Sequence, residues 1–325
     1  MGKVSLVFRK SSSSFNSIEN VFETLLPCLA TKKVVLKHES KGLWNRLKNI
    51  RDLLFFRNNL LHITGNDHYL LLFPFKKSIL TIHDIEALKR KTGLKRWVFK
   101  KLWFDLPIKN ATHVTTISEF SKREIASINN YKTPIEVIPN PLSLPIEFRV
   151  KEFNADEPRI LHIGVKANKN LPRLIEALSS IPCTLIIIGK PSKEMSKLLS
   201  IHRIQHEVKM NISQQEIIAE YYLCDLLAFV STYEGFGLPI LEAQAAGRVV
   251  LTSNVASMPE VAGLGAILVD PYSVEAIKEA VLKIIRDTTT RERLIQEGLN
   301  NVKRFNLEEI AKKYTTLYNK LADGI

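Results

Sequence analysis

At 325 residues the chain is long enough to favour two domains and to bury a core without disulfide or metal staples. A composition 45% hydrophobic and 24% charged argues against disorder. The formal charge of +13 belongs wholly to the first half: residues 1–150 hold 25 Lys and Arg against 12 Asp and Glu, whereas residues 151–325 hold 21 of each. That asymmetry points to an anionic partner for the first half, either nucleic acid or an acidic membrane surface.

In chain order, "KVSLVF" at 3–8 reads as a strand, followed by the polar loop "RKSSSSFNS" and a helical pattern over 18–30. "KVVLKH" at 33–38, "LLHITG", "SILTIHD", "HVTTIS" at 113–118 and "IEVIPN" at 135–140 are further strands, with helical stretches at 92–108 and 119–128. Strands alternating with helices predict a parallel sheet with crossover helices. The opening is too weakly apolar for a secretory signal, and Leu6 breaks the myristoylation pattern. The longest apolar runs, "YLLLFPF" and "TLIIIG", fall far short of the roughly 20 residues that span a bilayer. A soluble or peripheral protein is expected. Cys28, Cys183 and Cys224 are widely spaced without a CxxC, which fits a reducing compartment better than a disulfide framework or a zinc site.

Residues 141–157 hold two prolines and no clear period, and read as a linker. The pattern then restarts. "RILHIG" at 159–164, "CTLIIIG" at 183–189, "DLLAFVS" at 225–231, "RVVLTS" at 248–253 and "GAILVD" at 265–270 are strands, and helices near 171–181, 273–286 and 288–302 accompany them. Two doubly wound halves in tandem are predicted, with ligands beyond the carboxyl ends of the strands. A last helix occupies 306–325, with apolar residues at helical spacing from Leu307 to Leu321.

The stretch "STYEGFGLPILEAQAAG", residues 231–247, carries the most chemistry. A strand ends near Ser231, a turn holds Gly235 and Gly237, and a helix begins near Pro239. Free N–H groups at a helix start suit a phosphate, and the glycines let backbone approach it. Glu242, read as lying in the first helical turn, can accept two hydrogen bonds from a vicinal diol, and the loop residue Glu234 can hold a sugar hydroxyl. The combination suits a nucleotide-sugar. The same residues also fit a plainer reading, a glutamate complementing the helix dipole and a solvated loop glutamate.

"EGFGLPILEA", with Glu234 and Glu242 as an E-x7-E pair, resembles the signature of the GT4 retaining glycosyltransferases. "ILHIGVKANKNLPRLIEAL", "VTTISEFSKREI", "VIPNPL", "LTIHDIEAL", "GLGAILVDPYSVEAI" and "VKRFNLEEIAKKYTTLY" resemble further family segments in order and spacing, covering most of the chain from residue 60. The resemblance implies the GT-B fold, α/β with two Rossmann-like domains facing across a cleft. An acceptor domain over 1–145 and a nucleotide-sugar domain over 146–305 are expected, with 306–325 crossing back to brace the first.

By the same resemblance Glu242 holds the ribose, Glu234 approaches the transferred sugar, and the amides of Phe236, Gly237 and Leu238 contact diphosphate or sugar. Lys169 in "NKN" pairs with the diphosphate, and His83 in "TIHD" faces the transferred sugar. Relatives often carry an arginine shortly after the glycine that ends the domain's first strand. Here that run is Gly164-Val165-Lys166, leaving Lys166 as either a substitute cation or a solvated lysine. Arg9 and Asn16 are candidate acceptor contacts. No Asp-x-Asp occurs, so no metal and no other cofactor are expected. The implied donor is UDP- or GDP-linked and the acceptor is a glycan, most simply lipid-linked.

"ALKRKTGLKRWVFKKLWFDL", residues 87–106, holds seven Lys and Arg, one acid, two Trp and two Phe. It reads either as a basic helix docking on an anionic membrane or as a core-facing aromatic stripe with a solvated basic face. The first reading places the protein in the cytoplasm, peripheral at the inner face of the cell membrane. A nucleic-acid-binding protein without catalysis is a competing class, but no RNP, KH or helix-turn-helix signature supports it, so nucleic acid is not an expected partner. A nucleotide-sugar epimerase of the same fold is another.

Overall fold

The computed structural model describes residues 4–10, 17–56 and 58–322, and of residues 17–19 the backbone alone. The chain divides into two compact units: Met1–Ser143 with Asn306–Ile325, and Leu144–Phe305.

In the first unit β1 (Val4–Phe8), β2 (Thr31–Val35), β3 (Leu60–Ile63), β4 (Ser78–Ile82), β5 (His113–Thr116) and β6 (Ile135–Val137) form one sheet in the order β2-β1-β3-β4-β5-β6. All pairs are parallel, with Val4 in register with Thr31 on one side and Leu60 on the other. β1, β3, β4 and β5 are buried along their whole length, as strands covered on both faces must be.

The helix Leu307–Ala322 belongs to this unit and buries Ile310, Tyr314, Leu317 and Tyr318. Its anchor is polar. His62, fully buried on β3, lies 2.7 Å from the Tyr318 hydroxyl through Nδ1 and 2.6 Å from Thr81 Oγ1 through Nε2. Burial pushes the His62 value down to about 3, so the ring stays neutral in the folded state. Tyr318→Phe strands one buried ring nitrogen and is expected to lower stability by about 1–3 kcal/mol. Chemical denaturation checks this; an unchanged midpoint would remove the contact from the fold's anchors.

The stretch 92–108 is helical but not one continuous α-helix. Gly93–Lys100 passes into a π-helical turn, Lys101–Asp105, and then Leu106–Asn110. The wider turn shifts the side-chain register. Phe104 and Asp105 therefore face inward while Trp97 stays outside, so the aromatic residues of 87–106 do not share one face. Phe99 stacks on Trp103 with ring centroids 5.3 Å apart.

In the second unit β7 (Arg159–Ile163), β8 (Thr184–Ile188), β9 (Gln205–Lys209), β10 (Leu226–Phe229), β11 (Val249–Ser253) and β12 (Ile267–Val269) run parallel in the order β12-β11-β10-β7-β8-β9. β9, "QHEVK", has no counterpart in the sequence reading: it is an edge strand exposed over most of its length, so it lacks a hydrophobic pattern. The segment read as a linker is irregular but anchored. From Leu144 onward it belongs to this unit, and Asp225 holds it by pairing with Lys151 and accepting from the amide of Asn154 at 3.1 Å. After β7 the chain winds outward through β8 and β9, then returns to place β10 on the other side of β7. This reversal makes the β7–β10 crevice the topological switch point, where open α/β sheets bind ligands.

Candidate active site

Both segments singled out in the second unit emerge at the carboxyl ends of these two strands. Gly164 follows β7 with φ +92°, a left-handed conformation that favours glycine. A Cβ there would fall 3.0–3.4 Å from three carbons of the Lys169 stem, so the missing side chain makes room for the lysine. The Lys169 ammonium lies 2.7 Å from Glu234 Oε1 and 4.5 Å from the centre of the Phe229 ring. Both side chains of the pair are largely buried, at 18% and 15% exposure, where charge interactions are less screened than at the surface.

The neighbours of Lys169 hold the geometry. Asn168 donates through Nδ2 to the carbonyl of Tyr233 at 2.9 Å and to Glu234 Oε1 at 3.3 Å. Asn170 adopts φ +62°, tolerable for asparagine, and immediately precedes the helix Leu171–Leu178. Its buried amide donates to the carbonyls of Val230 at 3.0 Å and Pro271 at 2.7 Å. All three residues of "NKN" thus tie the loop after β7 to the end of β10 or the loop after it. The lysine alone stands out by its charge in the sequence; the flanking Asn168 and Asn170 amides are the signal that the loop is fixed.

The turn between β10 and the helix Leu238–Ala245 is pinned from behind. The buried Ser257 hydroxyl lies 2.9 Å from the Glu234 carbonyl and 2.7 Å from that of Phe236, sharing its one hydrogen between them. Phe236 turns its ring inward, edge-on to Phe305 at 5.7 Å, so only its backbone can meet a ligand. Gly237 has φ +116° and precedes the helix, with Pro239 in the first turn. Leu238 is half-buried as the first helical residue.

Glu242 lies in the second turn of this helix, not the first, because the helix starts at Leu238. It is buried, and the Tyr221 hydroxyl donates to its Oε2. Burial raises the carboxyl to about 7, against the opposing effects of the Tyr221 hydrogen bond and the Lys169 charge. The same burial drives the Tyr221 phenol well above its ordinary value. Tyr221 had no sequence signal, since it reaches Glu242 from a helix 21 residues away.

Lys166 is exposed, and its ammonium forms no ion pair among the described residues. His83 belongs to the first unit, just after β4. It is 3% exposed, and its Nε2 donates to the Thr64 carbonyl at 2.8 Å. A carbonyl only accepts, so Nε2 carries the hydrogen. Arg9 is half-buried immediately after β1, and Asn16 lies outside the described residues. The residues brought together are therefore Gly164, Lys169, Glu234 and the Gly237–Glu242 turn and helix.

Residues 145–301 match the family described as Glycosyl transferases group 1. O-antigen chain mannosyltransferase B of Escherichia coli is 26% identical over 312 residues, covering 88% of this chain and 79% of its own length. Sucrose-phosphate synthase from Thermosynechococcus elongatus superposes over 100% of both chains with a TM-score of 0.78 at 19% identity. Anabaena HepE, in a structure holding UDP and glucose, superposes over 99% of this chain and 100% of its own with a TM-score of 0.79 at 16% identity. At such identities the structures speak for the fold, which is GT-B.

Proposed function

We propose that this chain, a member of the glycosyl transferases group 1 family through residues 145–301, transfers a mannosyl group from a nucleotide-sugar to a lipid-linked glycan of the cell surface, with retention at the anomeric carbon. The observation that carries this reading is the Lys169–Glu234 pair at the β7–β10 switch point, beside the helix that bears Glu242. The name of the E. coli relative favours mannose and a surface polysaccharide, and HepE, of like fold, holds a nucleoside diphosphate. The donor is UDP- or GDP-linked.

In this reading Glu242 accepts hydrogen bonds from the ribose, Glu234 from the transferred sugar, and the amides of Gly237 and Leu238 face the diphosphate. The bond between the anomeric carbon and the leaving oxygen breaks, with its electron pair passing to the phosphate. Lys169, with Lys166 nearer the solvent, offsets that charge as it develops, without a metal ion. The acceptor oxygen attacks on the same face and its proton passes to the leaving phosphate. His83 faces the transferred sugar. The work takes place in the cytoplasm, at the inner face of the cell membrane. Among the described residues no helix is long and apolar enough to cross a membrane.

The test is incubation of the purified protein with UDP- and GDP-linked hexoses and a lipid-linked oligosaccharide, followed by NMR of the product. The expected result is one added mannose with the donor's anomeric configuration. An inverted product would overturn the retaining mechanism. Isomerised nucleotide-sugar formed without acceptor would make the chain an epimerase.

A further inference from the structure

The helix Leu43–Leu53 and the 3-10 turn Leu54–Phe56 carry apolar side chains on both faces. Its inward face buries Ile50 and Leu53 in the core, beside the polar Asn49. Asn49 is fully buried, accepts from the His38 amide at 3.1 Å, and donates to the His38 carbonyl at 3.0 Å and the Tyr69 hydroxyl at 3.1 Å. Its outward face is apolar: Leu43, Trp44, Leu47, Leu54 and Phe55 are 68%, 77%, 41%, 49% and 85% exposed. These positions recur at helical spacing, with Lys48 and Arg51 between them. Asn49, Ile50 and Leu53 together fix which face points out, so the exposure belongs to the fold.

The segment 93–106 adjoins this helix. The Arg46 guanidinium lies over the Trp103 ring at 4.8 Å and over Tyr69 at 5.5 Å. There Leu94 and Trp97 are also exposed, at 74% and 58%. Among the described residues Lys41, Lys48 and Lys95 are exposed and pair with no carboxylate. Lys100 and Lys101 instead serve Asp105, at 3.1 and 3.0 Å, and are poorly placed to meet another anion.

We infer that the outward face of Leu43–Phe56, together with Leu94 and Trp97, docks in the interface of an anionic lipid leaflet. Charge complementarity selects this occupant. The first 150 residues carry the chain's whole +13 surplus, which opposes docking of a second copy through the same face. A nucleic acid would use the cations but leave Leu43, Leu47 and Leu54 exposed to water. A leaflet takes both, cations among the headgroups and Trp, Phe and Leu at the acyl boundary. The purpose rests on the lipid-linked acceptor proposed above, but the test requires no turnover.

Sedimentation with phosphatidylcholine vesicles, with and without phosphatidylglycerol, measures the docking. The wild type is expected to bind the anionic vesicles, with a blue shift of tryptophan emission, and to be largely released by salt. The double variant Trp44→Ser/Phe55→Ser removes two side chains that are mostly in water, and is expected to lower partitioning at least about tenfold. Lys48→Gln/Lys95→Gln is expected to abolish the preference for anionic over neutral vesicles. Equal binding to both vesicle types by the wild type, binding to neither, wild-type partitioning by the Trp44/Phe55 variant, or Trp44-dependent self-association without lipid would overturn the inference. Nucleoside diphosphate binding, followed in the same samples, is expected to be unchanged in both variants. Its absence from the wild type would count against the proposed reaction, while the vesicle result still decides the docking.

Discussion

Replacing Lys169 by alanine is expected to lower turnover about 10²–10³-fold, the range found when one preorganised group is removed from developing charge in a dry site. The geometry explains why the effect is large. Gly164 leaves no side chain over the lysine stem, Phe229 lies under the ammonium, and Asn168 and Asn170 fix the loop on either side. The cation is thus placed before the donor arrives and needs little reorganisation when the phosphate takes up charge. The substitution also leaves Glu234 without its closest cation, although Asn168 still donates to it at 3.3 Å. A modest loss of stability, of order 1–2 kcal/mol, should accompany the kinetic loss. Lys169→Arg keeps the charge but exchanges a compact point cation for a planar fork, so only partial recovery is expected. Steady-state kinetics and a denaturation curve on the same preparations separate the two effects. Turnover falling only in proportion to the folded fraction would reduce Lys169 to a structural role.

Glu242→Ala is expected to weaken donor binding by about tenfold to a hundredfold, the equivalent of one charge-assisted hydrogen bond at 1.5–3 kcal/mol. The wild type should also bind donor in a pH-dependent way. The buried carboxyl titrates at about 7, whereas the ionised form is the one that accepts from two ribose hydroxyls. Affinity is therefore expected to rise as pH increases through about 7 and to level off above it. Tyr221→Phe removes a hydrogen bond to the charged form, so the rise should move to higher pH. Stability without donor should run the other way. The folded value stands above the ordinary 4.5, so the folded state holds the extra proton between about 4.5 and 7, and Glu242 destabilises the fold increasingly across that window. Isothermal titration with nucleoside diphosphate, from about pH 6 to 8, measures the binding effect. An affinity flat with pH in the wild type, or unchanged in Glu242→Ala, would take Glu242 out of the site.

What the sequence disclosed follows from how far each signal reaches along the chain. Buried parallel strands such as "TLIII" are continuous apolar runs and were legible, as was the turn from β10 into the Leu238 helix, because its glycines, proline and glutamates fall within nine residues. β9 was invisible because an exposed edge strand has no apolar face to display. The helix Leu43–Leu53 has no single apolar stripe to read: Ile50 and Leu53 are buried beside the polar Asn49, whereas Leu43, Trp44 and Leu47 face outward. The π-helical turn at Lys101–Asp105 divides the aromatic residues of 87–106 between inside and outside, so neither the docking helix nor the core-facing stripe holds for the whole stretch. Supports from elsewhere in the chain, Tyr221 under Glu242 and Ser257 behind Glu234, have no local signature and appear only once the sheet brings their segments together.

The Lys169–Glu234 pair and Glu242 are central to the proposed binding of a nucleotide-sugar. Release of nucleoside diphosphate from UDP- and GDP-linked mannose, with glycan acceptor present, tests this most directly when wild type, Lys169→Ala and Glu242→Ala are compared at equal folded concentration. The expected result is release by the wild type, strong loss of turnover in Lys169→Ala, and loss in Glu242→Ala that saturating donor largely restores. Equal release by all three proteins, or none by the wild type with any hexose donor, would contradict it.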